Sequence, residues 1–189
     1  MSAILQRALS DAASTFQSLE KLSAPIERAA DLIAHSLTSG GQVLACGNGG
    51  SAADVADFTT EFACRFIEDR RPYPALNLST GGSLITATGN DYSFEEIFSR
   101  QVRAFGRPGD TLVALSTSGR SKNIRAALEA ARSAQLRTIA LLGRDGGECA
   151  RIADVDLIVP GTATARIQEA HKFLLHVICE IVEPRLARD

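Results

Sequence analysis

Val43-Leu44-Ala45-Cys46-Gly47-Asn48-Gly49-Gly50-Ser51 passes from an apolar run too short for a helix, through a glycine-rich turn, into a segment of helical period. It reads as strand, tight turn and helix. Apolar runs of the same kind recur at 75–78, 111–115, 138–142 and 155–159, each bounded by Gly, Pro or Ser. Helical stretches lie between them near 51–66, 82–104, 121–135 and 146–153, with a last one near 164–184. Strands without polar alternation, separated by helices, predict an α/β fold: a doubly wound, five-stranded parallel sheet covered on both faces.

Ahead of this pattern, Leu5, Ala8, Leu9, Ala12, Phe16 and Leu19 recur at helical steps. A break at Leu22-Ser23-Ala24-Pro25 follows, and Pro25 is placed to open a second helix that ends at Ser39-Gly40-Gly41. These two helices are not needed to cover a sheet, so their apolar surface points to a partner subunit. The 189 residues, 45% apolar and 22% charged, suit one soluble domain with a real core. A net charge of −2 gives no reason to expect nucleic acid or an anionic membrane as a bulk partner. Cys46, Cys64, Cys149 and Cys179 form no CxxC pair, which excludes a zinc ribbon and argues against a disulfide framework. With no apolar run near 18 residues and no signal-type N-terminus, the expectation is a reduced, cytoplasmic protein.

Two strand ends carry unusual loops, and ligands in such folds bind beyond the carboxyl ends of strands. Residues 47–51 place three glycines at a helix start, where backbone N–H groups can approach a ligand and the helix terminus favours an anion. A plain tight turn, capped by Ser51 and Asp54, would explain those two residues but not the glycines. Ser116-Thr117-Ser118-Gly119-Arg120-Ser121 sets four hydroxyls around one glycine at a second helix start, a neutral cradle for phosphate where an N-cap needs one hydroxyl. Neither a Walker lysine pattern nor GxGxxG is present, so a phosphorylated small metabolite fits better than a nucleotide.

Two helices add ionisable groups. Asp54, Asp57, Glu61 and Arg65 follow at steps of three, four and four, along one broad face. That face reads either as solvated, with a Glu61–Arg65 pair, or as a site, since like charges one turn apart favour a cation or the raised pKa of a general base. In the last helix Gln168, Lys172 and His176 stand at i, i+4 and i+8, a polar stripe on an otherwise apolar helix.

The chain resembles the sedoheptulose 7-phosphate isomerases (phosphoheptose isomerases) of the sugar isomerase, or SIS, superfamily over nearly its full length. The resemblance rests on residues 47–54, Glu61 with Arg65-Phe66, Gly89-Asn90-Asp91-Tyr92, residues 116–121, and Ile167-Gln168-Glu169 with His171 and His176. It implies one SIS domain over 1–189, with 1–40 a helical extension used in oligomer contacts. It further implies a homotetramer with shared active sites and conversion of sedoheptulose 7-phosphate to D-glycero-D-manno-heptose 7-phosphate, toward heptose-containing envelope polysaccharides. Ser116, Thr117, Ser118 and Ser121, with Ser51, would hold the phosphate. Asn48, Gly49, Gly50, Asn90 and Asp91 would line the sugar site, and Asp57, Glu61, Arg65, Gln168 and Lys172 are expected to bind the substrate as well. Glu61 would be the base and His176 the acid, with no nucleotide or redox cofactor.

Zinc-binding members of the family use a histidine at position 57, with Glu61, Gln168 and His176; this chain has Asp57. Carboxylate oxygen can ligate zinc, though the aspartate side chain is shorter. Lys172 also departs from the family, and two readings stay open for it. It either reaches the Asp57/Glu61 pair and substitutes for metal charge, or snorkels to solvent. Three other functions are consistent with the fold: a non-catalytic assembly factor of the replication-initiation type, a sugar-phosphate-sensing regulator, and an isomerase of another sugar phosphate. Retention of Glu61 and His176 weighs against the first, and the lack of a preceding helix-turn-helix against the second.

Overall fold

The computed structural model describes residues 2–186. Two helices, α1 (Ala3–Ser18) and α2 (Ser23–Thr38), are joined by a 3₁₀ turn at Leu19–Leu22. Strands and helices then follow as β1 (Val43–Gly47), α3 (Gly50–Ala63), β2 (Ala75–Asn77), α4 (Gly82–Asp91), α5 (Ser99–Phe105), β3 (Thr111–Ser116), α6 (Lys122–Ser133), β4 (Arg137–Gly143), β5 (Val155–Val159) and α7 (Thr164–Val182). The five strands are parallel in the order β2-β1-β3-β4-β5. The doubly wound sheet expected from the apolar runs is the sheet that forms.

Burial follows from the two covered faces. Every residue of β1 and β3 is buried, while the edge strand β5 alternates and the three-residue edge strand β2 stays partly open. Val43, Ala45, Val113, Leu115, Ile139 and Leu141 face a core built with α2, α3 and α7. Their neighbours Leu44, Cys46, Leu112, Ala114, Ala140 and Leu142 face a second core with α5 and α6. Each large aliphatic side chain buried this way contributes about 1.5–3 kcal/mol. All four cysteines are unpaired, and only Cys64 is exposed. Among the described residues no helix is long and apolar enough to cross a membrane.

The structure corrects three expectations. The second N-terminal helix is needed by the sheet, because Ala29, Ala30, Ile33 and Leu37 of α2 lie in the first core. Only α1 has apolar surface to spare: it buries no residue and leaves Ile4, Leu5 and Leu9 exposed. The helix expected over 82–104 is broken into α4, a 3₁₀ turn at Phe94–Glu96, and α5. Gly89, Asn90, Asp91 and Ser93 are poor helix formers, and Ser93 is extended. The helix expected over 146–153 is a single 3₁₀ turn at Gly147–Cys149, since Gly146 and Gly147 both take left-handed φ.

Candidate active site

β1 and β3 are neighbours, so the loops at their carboxyl ends open side by side where the strand order reverses. In the β3 loop the hydroxyls converge. Ser116 Oγ lies 3.0 Å from Ser121 Oγ and 3.4 Å from Ser118 Oγ. The Gly119 N–H donates to Ser116 Oγ (3.1 Å) and the Arg120 N–H to Ser118 Oγ (3.2 Å). Ser121 is the N-cap of α6, yet its side chain makes no capping bond and stays in the hydroxyl ring. Thr117 is half-buried beside it. Gly119 (φ +66°) fixes the floor of this ring: a Cβ there would stand 2.2 Å from the Gly146 carbonyl oxygen, so only glycine lets the two backbones meet. Uncharged hydroxyls held this way at a helix start suit a phosphate group.

The β1 loop is tied down from both sides. Gly47 donates its N–H to Ser79 Oγ (3.1 Å), and the Ser79 hydroxyl donates to the Gly47 carbonyl (2.9 Å). A Cβ at Gly47 would lie 2.7 Å from the Ser51 carbonyl oxygen. Asn48 exchanges two hydrogen bonds with Asn123 of α6, both 2.9 Å, so the two loops are locked to each other. Gly49 is the N-cap of α3 and no side chain caps that helix, so the alternative of a plain turn capped by Ser51 and Asp54 is not what forms. Ser51 and Asp54 are instead buried. Sequence reasoning singled out neither Asn123 nor Ser79. Asn123 had a readable signal, since it is polar on the face of α6 that Ile124, Ala127, Leu128 and Ala131 make apolar. Ser79 had none.

α3 and α7 pack against each other and carry the ionisable residues on facing sides. Burial holds the Asp54 carboxyl above the ordinary carboxylate range. Nearby Lys172, a hydrogen bond from Gln168 and, more weakly, His176 oppose that shift, and Asp57 adds to it. At the start of α3, a Cβ on Gly50 would come within 2.4 Å of the Gln168 amide. Lys172 Nζ donates to Asp57 Oδ2, so the side chain reaches one member of the Asp57/Glu61 pair. Glu61 and His176 are half-buried, and the His176 ring lies 6.0 Å from that of Phe66.

The far end of the helix pair is braced. Arg70 donates to the Glu61 carbonyl and, at 3.1 Å, to the Phe62 carbonyl. Its Nε is 3.4 Å from Glu183 Oε1, and both side chains are buried. Glu183 in turn accepts the N–H groups of Phe66, Ile67 and Glu68 at 3.2, 3.0 and 3.2 Å. Sequence reasoning missed this brace as well. The Glu61–Arg65 pair does not form, because exposed Arg65 turns to the Ile67 carbonyl (3.2 Å). Asn90 and Asp91 end α4, exposed and bonded to each other (2.9 Å) rather than to either loop.

The zinc set implied by the resemblance (Asp57, Glu61, Gln168, His176) does not fit a divalent cation. Asp57, the proposed replacement ligand, is ion-paired to Lys172, whose ammonium belongs to the same stripe as Gln168 and His176. Among the described residues no three His, Cys, Asp or Glu side chains gather as a metal would require.

Residues 9–143 match the SIS domain family. The chain is 44% identical over 187 residues to the phosphoheptose isomerase of Trichlorobacter lovleyi, covering 98% of this chain and 95% of that protein. It superposes on the phosphoheptose isomerase structure from Neisseria gonorrhoeae with a TM-score of 0.89 and 43% identity, covering 95% of this chain and 97% of the other. For the phosphoheptose isomerase structure from Francisella tularensis the TM-score is 0.92 at 34% identity, covering 97% and 100%.

Proposed function

The chain belongs to the SIS-domain family and, within it, to the phosphoheptose isomerases, so it is a sugar-phosphate isomerase, and from that premise we propose that its substrate is sedoheptulose 7-phosphate. The product is D-glycero-D-manno-heptose 7-phosphate, a precursor of heptose-containing envelope polysaccharides made in the cytoplasm. One observation supports the reading: α3 packs on α7, the helices that carry Glu61 and His176, and Asn48 at the head of α3 is bonded to Asn123, two residues after Ser121 of the hydroxyl ring. A phosphate in the ring of Ser116, Thr117, Ser118 and Ser121, with Ser51, leaves the sugar to run past Asn48, Gly49 and Gly50 toward the helix pair.

Isomerisation moves one proton between adjacent carbons and needs no redox partner. Glu61 removes a proton from the hydroxyl-bearing carbon next to the ketone, giving an enediol(ate). The same carboxyl returns the proton to the former carbonyl carbon, while His176 protonates the carbonyl oxygen and takes up the proton that the neighbouring hydroxyl gives up, so both groups end as they began. The working form is a homotetramer with shared sites, and the exposed Ile4, Leu5 and Leu9 of α1 support such contacts.

A direct aldose–ketose assay on several sugar phosphates tests the proposal. Sedoheptulose 7-phosphate is expected to give the highest kcat/KM, and Glu61→Gln to lose about 10²–10⁴-fold in kcat. An unchanged rate in that variant removes Glu61 as the base, and a preference for a shorter sugar overturns the substrate.

A further inference from the structure

We propose that the Asp57–Lys172 ion pair takes the place of a divalent metal in this site, so that the isomerase works without one and Lys172 supplies the positive charge. The proposal rests on the isomerase reading above and adds to it the source of electrostatic stabilisation.

Asp54, Asp57 and Glu61 put three carboxyl groups along one face of α3, and Gln168, Lys172 and His176 oppose them from α7. A site with this many carboxylates needs a cation, because like charges one turn apart repel and do so more strongly where water is scarce. Lys172 is the cation the chain itself provides. Its Nζ bonds Asp57 Oδ2, and its charge also acts on Asp54. Of the pair the ammonium is the more buried partner, its side chain 27% exposed against 65% for Asp57.

The same arrangement works against zinc. A metal seated among Asp57, Glu61, Gln168 and His176 would have to displace an ammonium from its own ligand and then lie beside it. Asp57 also reaches less far than the histidine it replaces. An aspartate at 57 gives the ammonium of Lys172 its partner. An ammonium can stabilise the charge that develops on oxygen in an enediolate as a fixed hydrogen-bond donor does, an effect worth about 10²–10³ in kcat when the donor is well placed.

The test has two readouts. In calorimetric titration of Zn²⁺ into the full-length protein, wild type is expected to bind about 100-fold more weakly than the Asp57→His/Lys172→Ala double variant, which restores an imidazole ligand and removes the ammonium. Wild type purified without chelator should carry zinc far below stoichiometry and keep its rate after chelator treatment. Stoichiometric zinc in wild type, or equal zinc affinity in the two proteins, overturns the proposal whether or not any sugar phosphate turns over. Lys172→Met is expected to lower kcat by about 10–100-fold with KM moved by less than about threefold. A full kcat in that variant also overturns it. If wild type turns over no sugar phosphate, the isomerase reading fails on its own, while the zinc titration still decides the question of the metal.

Discussion

Replacing either member of the Asn48–Asn123 pair should destabilise the protein, and unequally. Each amide donates to the other at 2.9 Å, so one truncation removes two hydrogen bonds and leaves a donor and an acceptor behind. Net, two such bonds contribute about 2 kcal/mol, and a buried polar group left unsatisfied costs about 1–3 kcal/mol. What is left behind differs. Asn123→Ala strands Asn48, which is half-buried and can recover water, so the expected cost is about 2 kcal/mol. Asn48→Ala strands Asn123, which is 3% exposed and has no such recourse, so the expected cost is about 3–4 kcal/mol. The double variant should cost less than the sum of the two, with a coupling of about 1–2 kcal/mol. Urea unfolding at one protein concentration and one pH measures all four corners of the cycle. Additivity within about 0.5 kcal/mol would refute the reasoning, as would a larger cost for Asn123→Ala. Both single variants should also raise KM, because the β1 and β3 loops lose the bond that holds them in register.

Two further predictions concern buried ionisable groups. Burial pushes the His171 imidazole down to about 4 from its ordinary value near 6.5, so between those values the unfolded chain takes up a proton that the folded one refuses. Stability should therefore fall as pH drops from about 6.5 toward 4, by about 3 kcal/mol at 1.4 kcal/mol per unit. Asp54 and Asp156 are raised by burial and act in the opposite sense, since they fold more readily once protonated. Urea midpoints across that range should flatten in His171→Leu, and parallel wild-type and variant profiles would count against the assignment. Glu183→Ala leaves Arg70 charged and buried, and strips the acceptor from three backbone N–H groups. It should cost about 3–5 kcal/mol in thermal or urea unfolding, with Glu183→Gln intermediate, and a loss under about 1 kcal/mol would show the brace to be dispensable.

The sheet was legible because its strands are buried on both faces, and unbroken apolar runs such as 111–115 admit few other readings. The hydroxyl ring was legible for a related reason, since four hydroxyls around one glycine exceed what capping α6 requires. Local composition misled where it was judged by period alone. The apolar spacing over 82–104 is real, yet Asn90, Asp91 and Ser93 favour local turns over helix continuation. Ser51 and Asp54 have the spacing of a cap, but tertiary packing draws both inward. The least legible features were long-range bonds between residues that look ordinary in sequence. Ser79 on Gly47, Asn123 on Asn48 and Glu183 on Arg70 join positions 32, 75 and 113 residues apart, by subtraction of their numbers. No local pattern carries that information.

The helix pair is fastened at both ends, by the close approach of Gly50 to Gln168 at one and by the Arg70–Glu183 brace at the other. Asp57, Glu61, Lys172 and His176 lie between the fastenings, so the gap they span is set by the backbone and not by whatever enters it. Charges fixed in this way need little reorganisation when charge develops on a substrate. Sequence change at the four central positions can then alter the charge that this gap presents, while the frame that holds them stays as it is.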